Sequence, residues 1–165
     1  MTIGLLRGCR LTLAMSLLAM ALPVAAQESA SGHEAEGGHH KYGLAGFVGS
    51  TRVHGENEFT LGIEAGYNLS SNWSIGAVFE RADRERDSSL LLAGFGWHPF
   101  GHALRFQLAA GVKDPSGTTE AVVRTGVGYE MEVDNGWFIK PYLAVDFINN
   151  EDTEGVFGLY IGRGF

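Results

Sequence analysis

Among the side chains that could do chemistry, the densest group is histidine with carboxylate: His33, His39 and His40 stand close to Glu34 and Glu36. Imidazole nitrogens beside carboxylates suit Zn²⁺ or Cu²⁺. A metal site also needs a frame, and residues 27–40 are Glu, Gly, Ser, Ala and His with almost nothing apolar to pack. That composition reads as a disordered tail. No resident metal is expected beyond weak capture by the three histidines, and no cofactor.

A serine nucleophile needs a base within hydrogen-bond reach. The nearest serine to His54 in sequence is Ser50, and Ser88 and Ser116 fall in other connecting segments with nothing to bring them to it. His98 and His102 flank Phe100-Gly101 and fit polar-tipped interface residues better than catalysts. The only cysteine, Cys9, precedes an apolar run near the start of the chain. The expectation is a non-enzymatic protein. The run Asp83-Arg84-Glu85-Arg86-Asp87 reads as a solvated loop tip whose guanidinium groups suit phosphate.

Most remaining charge lies at alternate positions of apolar segments. Glu64, Glu80, Arg105, Lys113, Glu120, Arg124, Glu130, Lys140 and Asp146 share one face with many glycines. The opposite face carries, for example, Phe59, Leu61 and Ile63, then Leu91, Ala93, Phe95 and Trp97, then Val123, Val127 and Tyr129. Period-2 alternation of this kind is the mark of strands. Eight are expected, over 41–53, 58–69, 73–82, 89–99, 103–113, 119–133, 137–148 and 154–165. No 3.6-residue period is sustained, and 24 glycines would be costly in helices. Only the first strand fits either register, because Leu44-Ala45-Gly46-Phe47-Val48 is apolar on both faces.

Alternation alone leaves open which face points inward, since a soluble barrel would bury the apolar one and a membrane barrel would turn it to lipid. The aromatic residues decide. Tyr67, Trp73, Trp97, Phe100 and Trp137 border the short connections, and Phe59, Phe79, Phe147 and Phe157 border the charged ones. Two aromatic levels on an apolar band belong to a bilayer-spanning barrel. The charged face then becomes the lumen of an eight-stranded barrel, just wide enough for side chains to fill. Pairing of Arg105, Arg124 and Lys140 with the carboxylates would plug it. A narrow porin-like channel for small or hydrophobic solutes is the alternative.

Arg7 and Arg10, an apolar run over 11–22, and Pro23-Val24-Ala25-Ala26 have the layout of a cleaved signal peptide over 1–26. The whole chain has net charge −7. Losing Arg7 and Arg10 leaves 10 basic against 19 acidic residues, a mature charge of −9. Such an acidic chain is unsuited to nucleic acid, which needs clustered Lys and Arg.

From residue 41 to Phe165 the chain resembles the small eight-stranded outer-membrane barrels of the outer membrane protein A, X and W types. Phe59-Thr60-Leu61-Gly62-Ile63, Asn72-Trp73-Ser74-Ile75-Gly76, Arg124-Thr125-Gly126-Val127-Gly128-Tyr129 and the terminal Phe165 carry the resemblance. It implies an antiparallel up-and-down barrel in the outer membrane of a Gram-negative cell envelope. It further implies contact with outer-membrane lipid and lipopolysaccharide, a monomer, and Phe165 as part of the signal read by the barrel-assembly machinery. Arg163 departs from that signal, in which an apolar or aromatic residue is usual.

Overall fold

The computed structural model describes residues 40–82, 88–99, 103–115, 119–133, 135–149 and 153–165. The regions 1–26 and 27–39, with His33 and His39, lie outside them, as do Arg84, Arg86, Phe100, His102 and Ser116. Among the described residues there is no helix. The strands are β1 (Tyr42–Val53), β2 (Glu56–Asn68), β3 (Trp73–Ala82), β4 (Ser88–Trp97), β5 (Leu104–Pro115), β6 (Glu120–Tyr129), β7 (Met131–Glu132), β8 (Trp137–Ile148) and β9 (Glu154–Gly164).

Each strand pairs antiparallel with its sequence neighbour, and β9 returns to pair with β1, which closes the sheet. Strands β6 and β7 form one stave, since both keep a single register against β8. The single strand expected over 119–133 is interrupted because Tyr129 and Glu130 stand opposite Pro141 and Lys140, and proline has no N–H to give to the ladder. On its other side Glu130 N–H still donates to Ala103 O at 2.5 Å. The result is eight staves.

The register fixes the shape. Following partners once round, Tyr42, Tyr67, Ile75, Phe95, Leu108, Thr125, Val145 and Gly155 lead back to β1 at Arg52, ten residues beyond the start. A stagger of that size over eight staves tilts the strands by about 40°. Ten tilted residues rise about 25 Å, the height of an outer-membrane apolar band.

One connection is shorter than its charge implied. The polar stretch Val53-His54-Gly55-Glu56-Asn57 is not an open loop, for β1 and β2 extend into it and leave only His54 and Gly55 between them. Both have positive φ, 50° and 93°. This is the conformation of a two-residue type I′ hairpin, which matches the right-handed twist of the flanking strands.

The faces separate by solvent. Leu61, Ile63, Leu91, Phe95, Leu143 and Ile161 are among the many large apolar side chains that point outward and are exposed. A soluble protein does not carry apolar surface on that scale. Against lipid it is required, and closure leaves no edge N–H or C=O unpaired in hydrocarbon. The two-way register of β1 is resolved in favour of Phe47 inward, 2% exposed, with Leu44 and Val48 outward.

Candidate functional site

Three groups of charge cross the lumen. Arg124 on β6 reaches Glu80 on β3 with Nη1 to Oε1 at 2.6 Å and Nη2 to Oε2 at 2.8 Å. It also reaches its ladder partner Asp146 with Nε to Oδ1 at 2.6 Å and Nη2 to Oδ2 at 2.7 Å. A planar guanidinium is the cation that can hold two carboxylates by paired bonds at once. Nearer the end where β1 begins and β9 ends, Glu64 on β2 accepts from Arg105 Nη1 at 2.6 Å and Lys140 Nζ at 3.0 Å. Nearer the opposite end, Lys113 on β5 donates to Glu154 on β9. Apart from Arg124–Asp146, each of these links joins staves three places apart round the barrel.

Neutral groups fill the levels between. Phe47, Tyr142 and Tyr160 pack edge to face and tilted, with ring centroids 4.7–6.5 Å apart. Lys140 Nζ lies 4.3 Å from the Tyr160 ring centroid, a cation–π contact that supplements Glu64. Tyr142 donates its hydroxyl to Gln107 Oε1. Towards the far end Val78, Leu90, Leu92, Val122 and Ile148 form an apolar cluster, and Thr51 and Thr60 share a hydroxyl hydrogen bond at 2.9 Å. The space left among Thr51, Thr60, Lys113, Arg124 and Asp146 is about 20 Å³, on the order of one water.

Lumen glycines leave room for these side chains. A Cβ at Gly126 would lie 2.4 Å from the Tyr142 hydroxyl, and one at Gly96 would lie 2.5 Å from Arg105 Nε.

The charged residues do not all enter the network. Glu120 and Glu130 are half-buried near opposite mouths and form no ion pair among the described residues. Each sits near a strand end, and Glu120 Oε2 is buried with no hydrogen-bond partner among the described residues. Glu154 was absent from the expected set, although it shares its face with Val156 and Tyr160. Its partner lies on β5, and that pairing across the barrel has no counterpart in sequence order. Tyr142, Tyr160 and Phe47 were likewise not expected as the aromatic filling.

Of the residues expected at the interface, Trp97 and Trp137 are exposed and Tyr67 and Trp73 half-buried. Trp73 and Trp97, ladder partners, stack with centroids 6.3 Å apart, and Tyr42 meets Tyr67 edge-on at 5.2 Å. Phe165 is 61% exposed, and its backbone is tied to β1 through Lys41 N–H to Phe165 O at 2.9 Å and Phe165 N–H to Tyr42 O at 2.8 Å. His40 accepts at its carbonyl from Asn68 Nδ2 at 2.8 Å. Among the described residues no group of three metal-binding side chains converges.

Among the described residues one serine lies near a histidine, a pair to which the sequence did not point: Ser74 Oγ lies 3.5 Å from His98 Nε2. That is the long limit of a hydrogen bond. Both residues are buried inside the wall.

Comparison with known proteins agrees with this geometry. The family described as outer membrane protein beta-barrel domain matches residues 12–165. No curated protein matches the chain by sequence. Among solved structures, the N-terminal β-barrel domain of Pseudomonas aeruginosa OprF is 16% identical with a TM-score of 0.54, over 76% of this chain and 98% of that one. Ail of Yersinia pestis is 10% identical with a TM-score of 0.53, over 76% and 99%. At such identities the likeness is one of fold. With a closed eight-stave barrel, an apolar exterior and a family match over most of its length, the chain belongs to the outer membrane protein beta-barrel domain family, and its place is the bacterial outer membrane.

Proposed function

We propose that this protein is a non-enzymatic barrel with a closed lumen, acting as a structural or interaction element of the outer membrane and not as a pore. The observation that carries the reading is Arg124, 1% exposed and held by four hydrogen bonds to Glu80 and Asp146 across the lumen. A hydrated solute would have to break that cluster, which leaves buried charges unpaired. The Glu64 and Glu154 pairs stand in the same path.

Single-channel recording and liposome swelling test this. The native protein should give neither a large stable conductance nor swelling above protein-free vesicles. Lys140→Ala, which removes one of the two cations on Glu64, should raise leakage. A stable conductance in the native protein would instead establish the narrow channel.

The partners that go with this reading are outer-membrane lipid, lipopolysaccharide, whose phosphates suit the guanidinium groups of Arg84 and Arg86, and, during biogenesis, the barrel-assembly machinery. The barrel acts as a monomer. Residues 1–26 serve as the export signal and are removed. For biogenesis, the support is the position of Phe165, exposed beside the β9–β1 seam that closes the barrel. Deleting Phe165 should reduce the assembled, heat-modifiable protein in outer-membrane fractions several-fold. Normal amounts after the deletion would reject Phe165 as part of the assembly signal.

A further inference from the structure

Cations in this barrel are treated in two ways. Within the lumen Arg105, Lys113, Arg124 and Lys140 all have carboxylate partners. On the outside, at the end where β1 begins and β9 ends, Lys41 and Arg163 are exposed, and among the described residues neither has a carboxylate within ion-pair distance. Both rest on aromatic rings. Arg163 Cζ lies 5.5 Å from the Phe165 ring centroid and Lys41 Nζ lies 5.6 Å from that of Tyr67. Tyr42 stands between these two supports, as ladder partner of Tyr67 with its backbone bonded to Phe165. On the other flank Trp137 is the ladder partner of Arg163.

We infer that Lys41 and Arg163, with the exposed Tyr42 phenol between them, form a headgroup site for an anionic glycerophospholipid of the leaflet at that end of the barrel, on the β8–β9–β1–β2 seam. The aromatic rings lie at the headgroup boundary, where amphipathic rings are favoured. A guanidinium and an ammonium at that level are complementary to lipid phosphate. Charge sign argues for a local site, because the whole chain carries −7 and its overall field repels anionic lipid. The two cations also flank the strand pair that must close last in sequence order, so a bound headgroup would bridge that seam from outside.

A fluorescence experiment on the full chain tests the site. Trp73→Phe with Trp97→Phe leaves Trp137 as a reporter beside Arg163. In vesicles of phosphatidylcholine containing a minor brominated component, brominated phosphatidylglycerol should occupy the neighbourhood of Trp137 about fivefold more than brominated phosphatidylcholine. That ratio corresponds to about 1 kcal/mol in all, the order of one basic residue's attraction to an anionic membrane surface.

Adding Lys41→Ala and Arg163→Ala to this reporter should bring the ratio to about one, with heat-modifiability showing that the barrel has folded. A second reporter retaining only Trp97, on the far side of the barrel, should show no preference. Inorganic phosphate in solution should leave the ratio unchanged. Equal quenching by the two lipids in the parent reporter, a preference that survives the double alanine variant, equal preference at Trp97, or competition by inorganic phosphate would each overturn the site.

Discussion

Replacing Arg124 with alanine should lower the unfolding free energy of the bilayer-embedded barrel by about 3–5 kcal/mol, the cost of removing one partner from a buried ion pair. The variant keeps Glu80 and Asp146, each 2% exposed, within reach of each other and without their common cation. It also removes four charge-assisted hydrogen bonds and opens a void between β3 and β6. The measurement is urea-dependent unfolding of protein folded into vesicles, followed by tryptophan fluorescence. A companion variant in which Arg124, Glu80 and Asp146 all become apolar residues of similar volume should be far milder, because no charge is then left stranded. A loss below about 1 kcal/mol in Arg124→Ala would mean that water already solvates the cluster, and the closed-lumen reading would fall with it.

Leu108→Arg should cost about 2–4 kcal/mol, while Val112→Arg on the same strand should cost about 0–1 kcal/mol. Both side chains point outward and are exposed to similar extents, 42% and 44%. What differs is depth. Leu108 lies midway along the ladder circuit between Phe95 and Thr125, and Val112 is four residues nearer the end of β5. Hydrocarbon penalises an arginine at the midplane and hardly at all near the headgroups, where the side chain can snorkel. The same unfolding assay reads the difference. Equal costs at the two positions would show that the outward face meets no hydrocarbon gradient and would remove the membrane assignment of that face.

By itself the sequence determined the all-β class, the alternation of faces and most strand positions. In β3 and β8 even the end residues, Trp73–Ala82 and Trp137–Ile148, were expected as observed. This was possible because period-2 patterning is a local property, and because in a membrane barrel both faces are under chemical constraint, lipid on one side and packed charge on the other. Where that contrast fails, so does the reading. Leu44 to Val48 is apolar on both faces, and only pairing with β2 and β9 turns Phe47 inward. The break at Glu130 depends on Pro141, a residue on the neighbouring stave.

The tertiary structure decided which charges meet. Arg124 and Asp146 are ladder partners, but Glu80, Glu64 with Arg105 and Lys140, and Lys113 with Glu154 come together only because the sheet closes with a ten-residue stagger and sets staves three apart face to face. Strand patterning carries no information about that stagger, since shifting a register by two residues preserves every face and changes every partner. Lys41 and Arg163 follow the same rule. They stand far apart in sequence, at opposite ends of the barrel segment, and they come to the same seam because the last strand must pair with the first to leave no open edge in lipid.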